Sequence, residues 1–85
     1  MPEISRFYGI TIYVFYKDHS PPHIHVEYSG YKAIIEISNG LIKGEMPKRA
    51  LNLIFEWIEL HRTEIMDDWQ LALEGLPLKK IEPLA

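Results

Sequence analysis

The sequence contains no cysteine, and this absence limits the chemistry that the chain can carry. Without thiols, it forms neither disulfide bridges nor the thiolate metal sites of structural zinc domains. It also lacks any apolar run close to the roughly 20 residues that cross a membrane as a helix. The residues after Met1 do not have the pattern of a signal peptide. We therefore predict a cytoplasmic protein with no membrane partner.

The chain also lacks an excess of positive charge. Its net charge is −3 and its isoelectric point is near 5.7. Phosphate backbones are bound by clustered cations, so this balance argues against a broad nucleic-acid surface and leaves a smaller contact undecided. A hydrophobic content of 47% argues against disorder. A length of 85 residues predicts a single domain over residues 1–85.

Residues 1–45 have the pattern of β-strands. Apolar and β-branched residues alternate from Ile10 to Tyr16, as they do in a strand with one buried face. Ser29-Gly30 and Asn39-Gly40 are typical of tight hairpin turns, because both pairs tolerate positive φ angles. We predict a meander of three to four antiparallel strands.

A two-residue turn at Ser29-Gly30 also fixes the register of one hairpin. The core face would then carry the pairs Tyr28–Tyr31, Val26–Ala33 and Ile24–Ile35, and the other face Glu27–Lys32, His25–Ile34 and His23–Glu36.

Residues 46–75 have the pattern of a helix. Pro47 suits the first helical position, a bend is expected at His61-Arg62, and Gly75 followed by Pro77 is a stop signal. The predicted fold class is α+β: an antiparallel three- to four-stranded meander followed by a C-terminal helical segment packed on one face. The predicted core consists of Ile24, Val26, Ile35, Ile54, Trp57 and Ile58.

Three of the four histidines lie within the segment 18–27, just before or within a predicted strand. Alternate residues of a strand share a face, so His23, His25 and Glu27 should project together. Zinc binds neutral imidazole, and a catalytic site uses three protein ligands. His19, His23 and His25 are therefore candidate ligands for zinc or another divalent metal such as nickel, with Glu27 or Glu36 completing the set or orienting a ring.

The same histidines are candidates for acid–base catalysis without a metal. Imidazole titrates near neutral pH, so His23 and His25 are the candidate catalytic residues of a small nuclease-like enzyme. The cation that such an enzyme needs would come from Lys17, Lys32 or Arg6. A plainer alternative is that Pro21-Pro22 fixes the start of the strand and the histidines only pack. His61 lies on the apolar stripe of the predicted helix and is left out of this site.

The predicted histidine face also carries Tyr13, Phe15 and Ile34. A single helical layer covers only one face of a sheet, so these side chains would remain open to solvent. Exposed apolar patches often mark contacts between proteins. We interpret Tyr13, Phe15 and Ile34 as a surface that binds another protein chain, in either a homodimer or a heterodimer.

Several segments of the chain are similar to a known prokaryotic family, domain of unknown function 4160. The similarity rests above all on the run from Asp18 to Tyr28, and also on the segments 5–10, 57–62 and 77–84. The resemblance implies a small bacterial or archaeal cytoplasmic protein, often encoded beside a second small protein in a toxin–antitoxin-like arrangement. The predicted function is a protein-interaction module of such a two-protein or regulatory system. The alternative is the small histidine-dependent enzyme, with or without a metal.

Overall fold

The computed structural model describes residues 2–85 as one antiparallel sheet followed by one long helix. The strands follow one another across the sheet in chain order, which makes it a meander. This arrangement confirms the predicted α+β class, with five strands instead of three to four. The elements are β1 (Glu3–Phe7), β2 (Ile10–Tyr13), β3 (His23–Tyr28), β4 (Tyr31–Glu36), β5 (Ile42–Gly44) and α1 (Lys48–Leu73).

The additional strand is β1, which pairs with β2 through a tight turn at Tyr8-Gly9. Both turn residues have positive φ angles, 49° and 80°. Two consecutive positive φ angles match the twist of a hairpin, and this is why the chain reverses here. Tyrosine rarely adopts such an angle, so the pair was not recognised as a turn in the sequence.

The predicted register between β3 and β4 is confirmed at all six pairs, from His23 opposite Glu36 to Tyr28 opposite Tyr31. One consequence expected from it is wrong. Tyr31 does not face the core but is exposed, because it stands at the hairpin tip beside exposed Ser29 and Gly30.

The helix packs its apolar stripe against the sheet, and all six predicted core residues are buried. The predicted bend is confirmed at His61, where φ is −126° and ψ is 21°. Pro47 is not the first helical residue but the N-cap before it, with an extended ψ of 146°. Within residues 2–85, no helix combines the length and the apolar character that crossing a bilayer requires.

The C-terminal end of α1 and the tail after it tie the fold together. The C-terminal tail runs beside β1, where the Ile81 amide donates to the Ile4 carbonyl at 2.8 Å. At the end of α1, the Ala72 carbonyl accepts a hydrogen bond from the Lys17 amide at 3.1 Å. This second contact holds the loop between β2 and β3 against the helix. That loop supplies the carboxylate of the site described next.

Candidate functional site

The loop between β2 and β3 brings the Asp18 carboxylate between two histidine rings of β3. Asp18 Oδ2 lies 2.8 Å from His23 Nε2 and 3.1 Å from His25 Nε2. The other oxygen, Oδ1, accepts the backbone N–H of His19 at 2.9 Å. Because His23 and His25 are two residues apart on one strand, their rings project to the same side and share one carboxylate oxygen. We call Asp18, His23 and His25 the histidine–aspartate cluster.

His23 is the most enclosed member of the cluster, with only 6% of its surface exposed. Its ring lies 5.1 Å from the Trp69 ring of α1, measured between centroids. Its Nδ1 lies 2.8 Å from the Pro21 carbonyl oxygen. A carbonyl oxygen only accepts hydrogen bonds, so Nδ1 carries the proton of this contact. The Nε2 atom is thereby directed at Asp18.

His25 is held by stacking and keeps more contact with solvent. Its ring stacks on Phe15 with centroids 3.8 Å apart and planes inclined by 10°. Its side chain is 20% exposed. The ring of His23 meets it edge to face at 5.1 Å. Phe15 therefore fixes the plane of His25 and, with it, the direction in which Nε2 points.

The surroundings of Asp18 favour its ionised form. Burial is the largest single influence and would by itself raise its pKa. The hydrogen bonds from His25, from the His19 amide and from His23, together with the charge of His23, outweigh burial and leave the pKa of Asp18 below its ordinary value of 3.8. The cluster therefore holds a carboxylate at neutral pH, which accepts hydrogen bonds or can bind a cation.

A pocket of about 160 Å³ opens beside the cluster. Lys43 of β5 contributes a cation to its wall, and Glu36 of β4 contributes a carboxylate that also accepts a hydrogen bond from Asn39 Nδ2 at 3.0 Å. Ile34 and Leu41 supply apolar surface. The pocket is thus large enough for a small polar group, and three histidines and one lysine border it.

The predicted metal ligands are only partly brought together. His23 and His25 converge, but His19 is 91% exposed and reaches only the outer oxygen of Asp18, with Nδ1 3.2 Å from Oδ1. Its ring centroid lies 6.0 Å from that of His23. Three ligand atoms, one from each of Asp18, His23 and His25, lie within 4.8 Å of one another. The closest potential ligand set therefore contains Asp18 in the position that the sequence suggested for His19.

Most of the predicted auxiliary charges lie outside this pocket, although Glu27 and Lys32 line a neighbouring hollow that His25 shares. Glu27 stands opposite Lys32 in the sheet, and Arg6 pairs with Glu3 at 2.8 Å. Lys17 is exposed and lies in the loop between β2 and β3. Glu36 does border the pocket, as described above.

Sequence reasoning missed Asp18 and Lys43. Asp18 directly precedes His19, and this position next to the histidine motif was the signal that could have identified it as a site residue. No sequence signal singled out Lys43, because its position depends on how β5 pairs with β4.

The predicted partner-binding residues lie around the cluster. Tyr13 is opposite His25 in the sheet, and Ile34 is opposite it on the other side. Tyr13, Phe15 and Ile34 are all half-buried. Phe15 has a local role that the sequence did not reveal, because it forms the stack under His25.

Comparison with protein families supports the resemblance seen in the sequence. The family model described as Domain of unknown function (DUF4160) matches residues 9–70, a range that contains the whole histidine–aspartate cluster. Comparisons with curated proteins and with solved structures gave no match. The chain belongs to the DUF4160 family.

Proposed function

We propose that this chain is a small histidine-dependent enzyme that cleaves phosphodiester bonds, with the histidine–aspartate cluster as its reactive centre. One observation carries the proposal: a single carboxylate oxygen is shared by two imidazole rings at the edge of a pocket. Hydrogen bonds only offset the cost of taking such polar groups out of water, so apolar residues would serve a purely structural strand start at least as well. Clustered titratable groups beside a pocket are typical of reactive sites.

We assign His25 as the general base. When the Nε2–H of His25 donates a hydrogen bond to Asp18, the lone pair of the neutral ring is on Nδ1. That atom accepts a proton from an attacking hydroxyl or water. Asp18 keeps the ring in this tautomer and stabilises the imidazolium that forms, and Phe15 keeps its plane fixed.

The choice of a phosphodiester as the substrate rests on charge. Lys43 gives the pocket wall a cation that would bind a phosphate oxygen, and it stands beside the carboxylates of Asp18 and Glu36. His19 also borders the pocket and is exposed, so we assign it the return of a proton to the leaving oxygen. The net charge of −3 favours a short, local contact with nucleic acid over an extended one.

The test is cleavage of short RNA and DNA strands that carry a fluorophore and a quencher. A positioned base typically contributes 10²- to 10⁴-fold to the rate, so His25→Gln should lower cleavage by about that factor. His61→Gln is the matched control, because His61 pairs with Glu64 on α1, away from the pocket. Equal cleavage by wild type and His25→Gln, or no cleavage of any strand by the wild type, would rule out this function.

A second function, a protein-interaction module, is favoured by the apolar surface around the cluster. Leu41, just before β5 at the open edge of the sheet, is 52% exposed and borders the pocket together with Ile34. Tyr13, Phe15 and Ile34 continue this surface across the sheet. The occupant that we propose is a small protein encoded beside this one, as in two-protein toxin–antitoxin-like systems of the prokaryotic cytoplasm. Burying such side chains is worth about 25 cal/mol per Å², partly offset by the cost of association.

Sedimentation of the chain alone and with the product of a neighbouring gene tests this second function. Tyr13→Glu is the better variant, because replacing Phe15 would also disturb His25. The proposal predicts a complex with the wild type that Tyr13→Glu weakens. A homodimer in place of that complex would replace the proposed occupant with a second copy, and monomers under all conditions would refute the interaction function.

A further inference from the structure

Three atoms of the histidine–aspartate cluster, Asp18 Oδ2, His23 Nε2 and His25 Nε2, are spaced almost as the ligands of one metal ion are. Zinc binds imidazole nitrogen and carboxylate oxygen at about 2.0–2.2 Å, which puts two ligands of a tetrahedral ion about 3.3 Å apart. Asp18 Oδ2 is 2.8 Å from His23 Nε2 and 3.1 Å from His25 Nε2. Separations wider by roughly 0.2–0.5 Å would therefore accommodate an ion.

Each ligand is oriented by a contact of its own. The Pro21 carbonyl accepts from His23 Nδ1, which leaves Nε2 to face Asp18. Phe15 stacks on His25, and the His19 amide holds the outer oxygen of Asp18. A backbone carbonyl that accepts from the second ring nitrogen is the usual support of a histidine that binds a metal through the first. These contacts hold the donor atoms together before any ion arrives.

The number and type of ligands indicate which ion fits. Two imidazole nitrogens and one carboxylate suit zinc, nickel or cobalt, whereas magnesium and calcium prefer oxygen ligands throughout. Three protein ligands leave a coordination position for water or substrate, as in catalytic zinc sites. The adjoining pocket of about 160 Å³ provides the space for that fourth ligand.

The geometry points to a binding site for one divalent transition-metal ion, with Asp18 Oδ2, His23 Nε2 and His25 Nε2 as its ligands. This inference extends the proposed function, because it assigns a cofactor to the same cluster. The ion takes the place of the protons between Asp18 and the two rings. When bound, such an ion would supply Lewis-acid activation of a water molecule, in place of the proton removal assigned to His25 in the metal-free chain. His19 is outside the ligand set.

Direct binding by the tag-free chain is the test, with no substrate present. Titration calorimetry with zinc should show one ion per chain, and cobalt should give the visible absorption bands of a four-coordinate site. Magnesium should give neither signal. Removing a residue that only supports a ligand typically weakens metal binding by about 10- to 100-fold. Removing a ligand itself should therefore weaken zinc binding by at least that factor.

The variants separate ligand loss from unfolding. His23 is buried, so His25→Gln and Asp18→Asn are the primary variants, and each is first checked by circular dichroism. His61→Gln should bind zinc like the wild type. An absence of heat and of cobalt absorption at millimolar metal, or His25→Gln binding as tightly as wild type, would overturn the metal site.

The two proposals fail in different ways. Cleavage that persists in a chelator, with no metal binding, contradicts the metal site and leaves the enzyme. Tight zinc binding without cleavage of any nucleic acid supports the metal site and contradicts the enzyme.

Discussion

Replacing Asp18 by alanine tests how strongly the histidine–aspartate cluster is held together. The substitution leaves His23 Nε2 buried without its acceptor, and a hydrogen bond to a charged group is worth about 1.5–3 kcal/mol. The contacts to His25 and to the His19 amide are nearer to solvent, so water replaces most of their contribution. We therefore expect a loss of about 2–4 kcal/mol in the free energy of unfolding at pH 7. For a domain of this size that corresponds to a melting temperature lower by roughly 8–32 °C.

Acid should reduce this difference, because the pKa of Asp18 is lowered in the folded protein. A carboxyl with a depressed folded pKa stabilises the fold above its unfolded pKa, here near 3.8, and loses that contribution as pH falls through the folded value. Urea denaturation at several pH values measures both effects. Glu56→Ala, on the exposed side of α1, is the matched loss of a carboxylate and should stay within about 0.5 kcal/mol of wild type. A loss below about 1 kcal/mol for Asp18→Ala, or one that grows in acid, would refute the reasoning.

Two further predictions concern the core and a buried acid. Trp57 is fully buried and its Nε1 donates to the Glu82 carbonyl at 2.9 Å, so Trp57→Ala should cost about 3–5 kcal/mol in urea denaturation. A cost below about 1 kcal/mol would contradict its place in the core. Asp68 is 1% exposed, its Oδ2 has no hydrogen-bond partner among the described residues, and burial raises its pKa. A raised pKa means that the folded protein binds the proton of Asp68 more tightly than the unfolded chain does. As pH rises above about 3.8 and the carboxyl ionises, the wild type should therefore lose stability relative to Asp68→Asn. The opposite trend in denaturation curves would contradict this account.

The fold could be predicted largely from local patterns. The Ser29-Gly30 turn fixed the register of β3 and β4, because a shift by one residue would move every side chain to the wrong face. The apolar spacing predicted α1, and Thr63-Glu64, a typical helix start, predicted the bend that is found at His61. β1 was missed because its turn uses Tyr8 at a positive φ angle, which that residue rarely adopts.

The site could be predicted only where it lies on one strand. The alternation of β3 brought His23 and His25 together on one side, but their unequal burial depends on Trp69, which is distant in sequence. Asp18 reaches the rings because the loop folds back over the start of β3, held by the hydrogen bond from Lys17 to Ala72. Loop paths of this kind depend on tertiary contacts that have no local signature, so His19 was assigned a position that Asp18 occupies.

The most direct test of the histidine–aspartate cluster is a long-range ¹⁵N–¹H NMR spectrum of the imidazole rings, recorded before and after one equivalent of zinc. In the metal-free chain, we predict a proton on His23 Nδ1, where the Pro21 carbonyl accepts it. Zinc should then shift the Nε2 signals of His23 and His25 together and leave His61 unchanged. Zinc-induced shifts confined to His19 or His61, or a His23 ring without a proton on Nδ1, would contradict the account.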